Sequence, residues 1–232
     1  MSDHPTTEQT IDAALPAWVV ESAEMPNLYV GVVTSLSLCA WVLSIDGQGK
    51  VPAGSTLPDQ GEASRLRATV SWVENRKHAL RLVVKHAGVS LAVEPAFAQG
   101  RRNPSLRERL RGYRGVPEFL PVHLPIPAVG QQVELECHVV VMADYDLQEV
   151  WTGPRVSTGY RVDSIAAEVV TQQPLPDGAD QFDPLPKGSS RIIEGLTSTR
   201  RPEGLNGETV SDYLLTLTPS SSVSSSTDVT GR

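Results

Sequence analysis

Arg65-Leu66-Arg67-Ala68-Thr69-Val70-Ser71-Trp72, then, past the polar turn Glu74-Asn75-Arg76-Lys77, Leu80-Arg81-Leu82-Val83-Val84-Lys85: in both runs apolar and polar side chains alternate. A period of two marks a strand with one buried face, and a short polar turn between two such strands makes a hairpin. Leu66, Ala68, Val70, Trp72, Leu80, Leu82 and Val84 form its apolar side. Arg65, Arg67, Arg81 and Lys85 form the other side, with Arg76 and Lys77 at the turn. Two expectations start here, a β-rich domain and an anionic partner.

The charge pattern reaches further than the hairpin. Residues 65–114 hold twelve Arg or Lys against Glu74, Glu94 and Glu108, a net +9 in a chain whose total is −7. Such segregation points to a localised anionic partner, or to a cationic face balanced by acidic neighbours. Glu134 and Glu136, with His138, share one face of a later alternating run, and Asp144, Asp146 and Glu149 follow it. If that run lies beside the hairpin, its acids repel phosphate and form ion pairs within the chain.

Outward from the hairpin, Leu28–Ile45 reads as one bent strand or two, with Gly31 a candidate bulge. Residues 46–64 read as a loop and Val89–Val93 as a short strand. Ser105 and Glu108 have capping-box spacing, which predicts a short helix over 105–112 carrying Arg107 and Arg111, with Tyr113 at its end. Val133, Leu135, Cys137, Val139 and Val141 alternate with Glu134, Glu136 and His138; after a long loop comes a last strand, Tyr160–Val169.

Composition divides the chain into a disordered leader (1–17), a β-rich body (18–170) and a Pro/Ser-rich, mostly disordered tail (171–232). The tail is broken by an apolar island, Tyr213-Leu214-Leu215-Thr216-Leu217, suited to docking on the body or on a protein partner. The leader, MSDHPTTEQT, is too polar for a signal peptide. Met25–Ile45 contains no charged residue, yet it is flanked by acids, and its β-branched content suits strands better than a membrane helix. Cys39 and Cys137 sit in apolar runs and read as free, buried thiols. A reducing cytoplasm, of a cell or of a virus-infected host, is the expected setting.

Strand, strand, strand, short helix, strand, long loop, strand is the element order of an OB-fold, a five-stranded Greek-key barrel. A β-sandwich with a helical insertion is the competing architecture. The stretch Gly130-Gln131-Gln132-Val133-Glu134-Leu135-Glu136-Cys137, the loop with Trp151 and then Gly159-Tyr160-Arg161-Val162-Asp163-Ser164-Ile165 resemble the last two strands of single-stranded-DNA-binding proteins. The resemblance spans about residues 130–165 and implies single-strand binding without strict sequence preference. It does not extend to the tail, which ends Thr227-Asp228-Val229-Thr230-Gly231-Arg232 rather than in that family's acidic tip.

Single-strand binding needs cations for phosphates and aromatic faces for bases. Arg65, Arg67, Arg76, Lys77, Arg81, Lys85, Arg107, Arg111 and Arg155 are the candidate cations; Tyr113, Trp151 and Tyr160 are the candidate stacking residues. Trp72 and Trp41 are assigned to the core. No HExxH, GxSxG, P-loop or dinucleotide motif occurs, so neither an enzyme, a cofactor nor a metal is expected. The expected partner is single-stranded nucleic acid, DNA rather than RNA, bound by a homo-oligomer of viral or mobile-element origin. A viral or phage capsid or assembly protein built on a β-sandwich is the alternative. A regulator acting through the segment 191–217 is a third reading.

Overall fold

The structure, a computed structural model, describes residues 9–57, 62–76, 79–102, 105–110, 116–143, 151, 153–172 and 187–220. Its elements run β1 (Ile11–Pro16), α1 (Ala17–Glu21), β2 (Val33–Ile45), β3 (Ser64–Arg76), β4 (Ala79–His86), β5 (Val89–Pro95), β6 (Phe97–Arg102), α2 (Leu106–Leu110), β7 (Val116–Pro121), β8 (Gln132–Val141), β9 (Ser157–Gln172), β10 (Lys187–Leu196) and β11 (Glu208–Pro219). The protein is mainly β, as the alternation predicts, and the helices among the described residues are single turns of five residues.

Nine strands form one mixed sheet in the order β10-β9-β11-β1-β8-β2-β5-β4-β3, while β6 and β7 form a separate ribbon. Two further pairings, β3 with β8 and β9 with β2, turn the sheet back on itself. The pairings therefore trace two closed circuits. One runs β2-β5-β4-β3-β8 and the other β2-β9-β11-β1-β8, with the β2–β8 pair common to both. Among the described residues, only β2–β5 and the single contact between β1 and β8, Ala14 with Val140, are parallel.

Alternation explains which residues face inward. Val133, Leu135, Cys137 and Val139 of β8 join Leu66, Ala68 and Val70 of β3 and Leu82 and Val84 of β4 in the main core. A second cluster lies on the outer face, where Cys39, Val83, Ala92, Val140 and Met142 are covered by Trp151 and Val156. Cross-strand partners line this cluster up in a row, Val140 beside Cys39, Cys39 beside Ala92, Ala92 beside Val83 and Val83 beside Trp72. A strand covered on both faces has no position for a charge. This accounts for the uncharged run ending at Ile45, since Leu38, Cys39 and Ala40 are consecutive and all buried. No helix among the described residues is long and apolar enough to cross a membrane.

Three expectations need correction. Residues 11–17, assigned to a disordered leader, contain β1, whose Ile11, Ala13 and Leu15 are buried. Residues 187–219, assigned to a disordered tail, supply β10 and β11; β11 lies between β1 and β9 and buries Val210, Tyr213, Leu215 and Leu217. Third, β9 does not complete the circuit that holds the hairpin. It pairs with the first part of β2, Val33 opposite Arg161 through Ser37 opposite Ser157, and β2 itself takes the place between β8 and β5.

Candidate nucleic-acid interface

The hairpin of β3 and β4 forms, and its cations meet acids. Antiparallel pairing sets Arg65 opposite Glu136 and Arg67 opposite Glu134, and residues directly opposite share a face. Arg67 Nε lies 3.4 Å from Glu134 Oε2, with the Arg67 side chain 89% exposed. An ion pair this exposed contributes under about 1 kcal/mol, but it lowers the field an incoming phosphate meets. Arg67 and Lys85 also line a shallow cleft with Asp46 and Glu134, which balances two cations with two acids. Arg81 is half-buried and pairs with Glu94 at 3.1 Å, while its cross-strand partner on the other side is Glu74. The hairpin face is therefore mixed in charge, and among its described residues no Phe, Trp or Tyr side chain is exposed.

Two of the three aromatic residues expected to stack on bases, Trp151 and Tyr160, lie inside the protein. Trp151 is 7% exposed, donates its Nε1–H to the Pro154 carbonyl at 2.9 Å and packs on Trp72, the ring centroids 6.1 Å apart and tilted by 60°. Tyr160 is 0% exposed, and burial pushes its phenol up to about 12. Both are corrected from binding surface to core; each ends a polar loop in the sequence, where burial has no local signature. Arg155, between them in the chain, is exposed. Cys39 and Cys137 are free and buried, and burial pushes the Cys137 thiol to about 12, which removes it from nucleophilic chemistry. Lys77, Arg111 and Tyr113 lie outside the described residues, as does the side chain of Arg76.

The ribbon of β6 and β7 exposes aromatic side chains. Successive residues of β6 alternate between two faces. Ala98 is fully buried, and a Cβ on Gly100 would meet Ser55 Cβ at 3.4 Å, so the Ala98 face lies against the chain near Ser55. Gln99 fixes this placement with backbone hydrogen bonds to Thr56 in both directions, at 2.8 and 2.9 Å. The opposite face holds Phe97, Gln99 and Arg101 of β6. Phe119 of β7 is the cross-strand partner of Gln99 and so shares this face. Phe97 is 46% exposed and Phe119 66%.

Arg101 and Arg102 at the end of β6 and Arg107 and Arg109 on α2 are all exposed. Over residues 97–121 the sequence has six Arg against Glu108 and Glu118. Of the described residues expected in the site, Arg107 belongs to this arm; Phe97, Arg101 and Phe119 are additions that the structure makes. A signal exists in the alternation Phe97-Ala98-Gln99-Gly100-Arg101, but no element is expected from the sequence between Val93 and Ser105.

No known family model matches the chain, nor does any curated protein or solved structure.

Proposed function

We propose that the protein binds single-stranded nucleic acid, with the arm β6–α2–β7 as its contact surface in place of the β3–β4 hairpin. The observation that carries this reading is the exposure of Arg101, Arg102, Arg107 and Arg109 on one short arm with a surplus of four positive charges. Cations gathered in this way attract phosphates by releasing condensed counterions. The hairpin cations share their face and cleft with Asp46, Glu134 and Glu136. We read the circuit β2-β5-β4-β3-β8 as an OB-type barrel in which the closing strand, β2, precedes the others in the chain. What supports this is the succession β3, β4, β5, the return of β8 beside β3, which is Greek-key order, and the arm lying in the long connection before β8.

Fluorescence anisotropy with a labelled single strand over a salt series tests the proposal. Affinity is expected to fall as salt rises, and replacing Arg101 and Arg107 together by Gln flattens the slope of log affinity on log salt by roughly 1.4. Arg67→Gln is expected to leave that slope unchanged. Absence of binding at low salt overturns the reading, and a slope sensitive to Arg67 alone returns the site to the hairpin.

A second reading, a self-assembling structural protein, is favoured by one observation. Large apolar side chains other than Phe97 and Phe119 are also exposed, with Leu106 of α2 at 75%, Val129 at 64% and Ile126 at 57%. Mass photometry separates the two: large closed particles support assembly, and a monomer or small discrete oligomer counts against it.

A further inference from the structure

We infer that Phe97 and Phe119 form a two-position base-stacking platform on the outer face of the ribbon, with Arg101 as the adjacent phosphate contact. The inference rests on the nucleic-acid reading above and names the class of ligand the ribbon takes, unpaired bases rather than duplex. Cross-strand register puts Phe119 opposite Gln99, and hence diagonal both to Phe97 and to Arg101. Diagonal neighbours on one face stand about 7–8 Å apart, close enough for consecutive unstacked bases of an extended strand to reach both rings.

The two Phe side chains are exposed for a reason that local packing does not supply. The opposite face of the same ribbon already buries Ala98 and stacks Gly100 against Ser55, so the ribbon is anchored without the rings. Two phenyl rings left in water on an anchored, cation-rich strand pair lose nothing of the fold and gain a partner only when something flat and apolar arrives. A protein surface could cover the rings, yet the exposed Arg101, Arg102, Arg107 and Arg109 of the same arm select an anionic partner. Single-stranded nucleic acid offers both, a planar face on each base and a charge on each linkage. Duplex hides its base faces, so the platform discriminates between strands by access. Gln99, between the rings, is half-buried with its backbone engaged by Thr56. The platform therefore reads the presence of a base more than its identity.

The test uses the full chain and a labelled oligothymidine of about 10 nucleotides, a length within the usual span of one site. Phe97→Ala and Phe119→Ala are each expected to weaken binding roughly five- to hundred-fold, with the salt slope unchanged. Phe97→Trp and Phe119→Trp are expected to keep or tighten it. Both positions are exposed, so the Ala variants should retain the wild-type urea midpoint, which removes misfolding as an explanation. Binding that survives both Ala substitutions, or equal affinity for duplex and single strand, overturns the platform and leaves the electrostatic reading standing. A wild-type chain that binds neither strand form overturns both.

Discussion

At the scale of single residues, the outer cluster shows how tightly the segment after β8 is held on the sheet. Gly153 sits where the indoles of Trp151 and Trp72 converge, and a Cβ there would lie 2.7 Å from Trp151 Cε2 and 3.0 Å from Trp72 Cζ3. Neither ring can yield freely, because Trp151 is tied to the Pro154 carbonyl and Trp72 is in strand β3. Gly153→Ala is therefore expected to destabilise the fold by about 2 kcal/mol, in the range for overpacking, as a drop in urea midpoint at constant slope. An unchanged midpoint would mean the segment lifts off the sheet at little cost. The same burial explains why neither Trp151 nor Tyr160 was placed correctly from its neighbours in the sequence. A Trp in a Pro/Gly-rich loop resembles a solvent-facing platform until the long-range contact with Trp72 is known.

Among elements, legibility followed regularity. β8 alternates without interruption and was read with the right inward residues, as were Leu66, Ala68 and Val70 of β3 and Leu82 and Val84 of β4. Past the register shift between Val70 and Trp72 the faces exchange, so Trp72, expected on the same side as Val70, lies beside the buried Val83 in the outer cluster. β11 was reduced to an apolar island because its period is broken: a register shift between Val210 and Asp212 brings Val210 and Tyr213, three apart, to the same core. β1 alternates cleanly, but six residues next to a polar leader cannot outweigh that composition. The topological place of β9 was not readable at all, since alternation marks a strand and says nothing of its partner. For the same reason the acids of β8 were recognised while their position against Arg65 and Arg67 was only a contingency. The ribbon has no counterpart among the elements expected from the sequence because a six-residue alternation beside an Arg-rich stretch carries too short a period to stand out. The demotion of β11 has a direct check. Leu217, 0% exposed, should cost about 3 kcal/mol when replaced by Ala, and truncation after Gly207 should abolish the cooperative transition by removing the strand between β1 and β9. A truncated chain that still unfolds cooperatively would restore the tail to an accessory role.

For the whole molecule, charge and burial together set how folding responds to acid. Half-burial lowers the His138 pKa from the ordinary 6.5 by desolvation, against the opposing pull of Glu136. The unfolded chain then binds this proton first, so stability falls as pH drops through 6.5 and levels off once the folded imidazole titrates. Desolvation would raise the Asp163 carboxyl, but hydrogen bonds from Thr218 and Arg161 hold it below the ordinary 3.8. Its contribution is present above 3.8 and lost as pH falls through the folded value, so acid unfolding should show a second, lower step. Urea midpoints followed from neutral to acid pH check both; His138→Gln should remove the upper step and Asp163→Asn the lower. Finally, β1 and β11 pair antiparallel with Ile11 beside Leu217, so the two ends of the folded chain leave from the same side of the same strand pair. Tension applied between the termini would load the rungs of that ladder one after another instead of all together. Under force, then, the molecule opens like a zip from its ends, offering little mechanical resistance despite a sheet that closes on itself at rest.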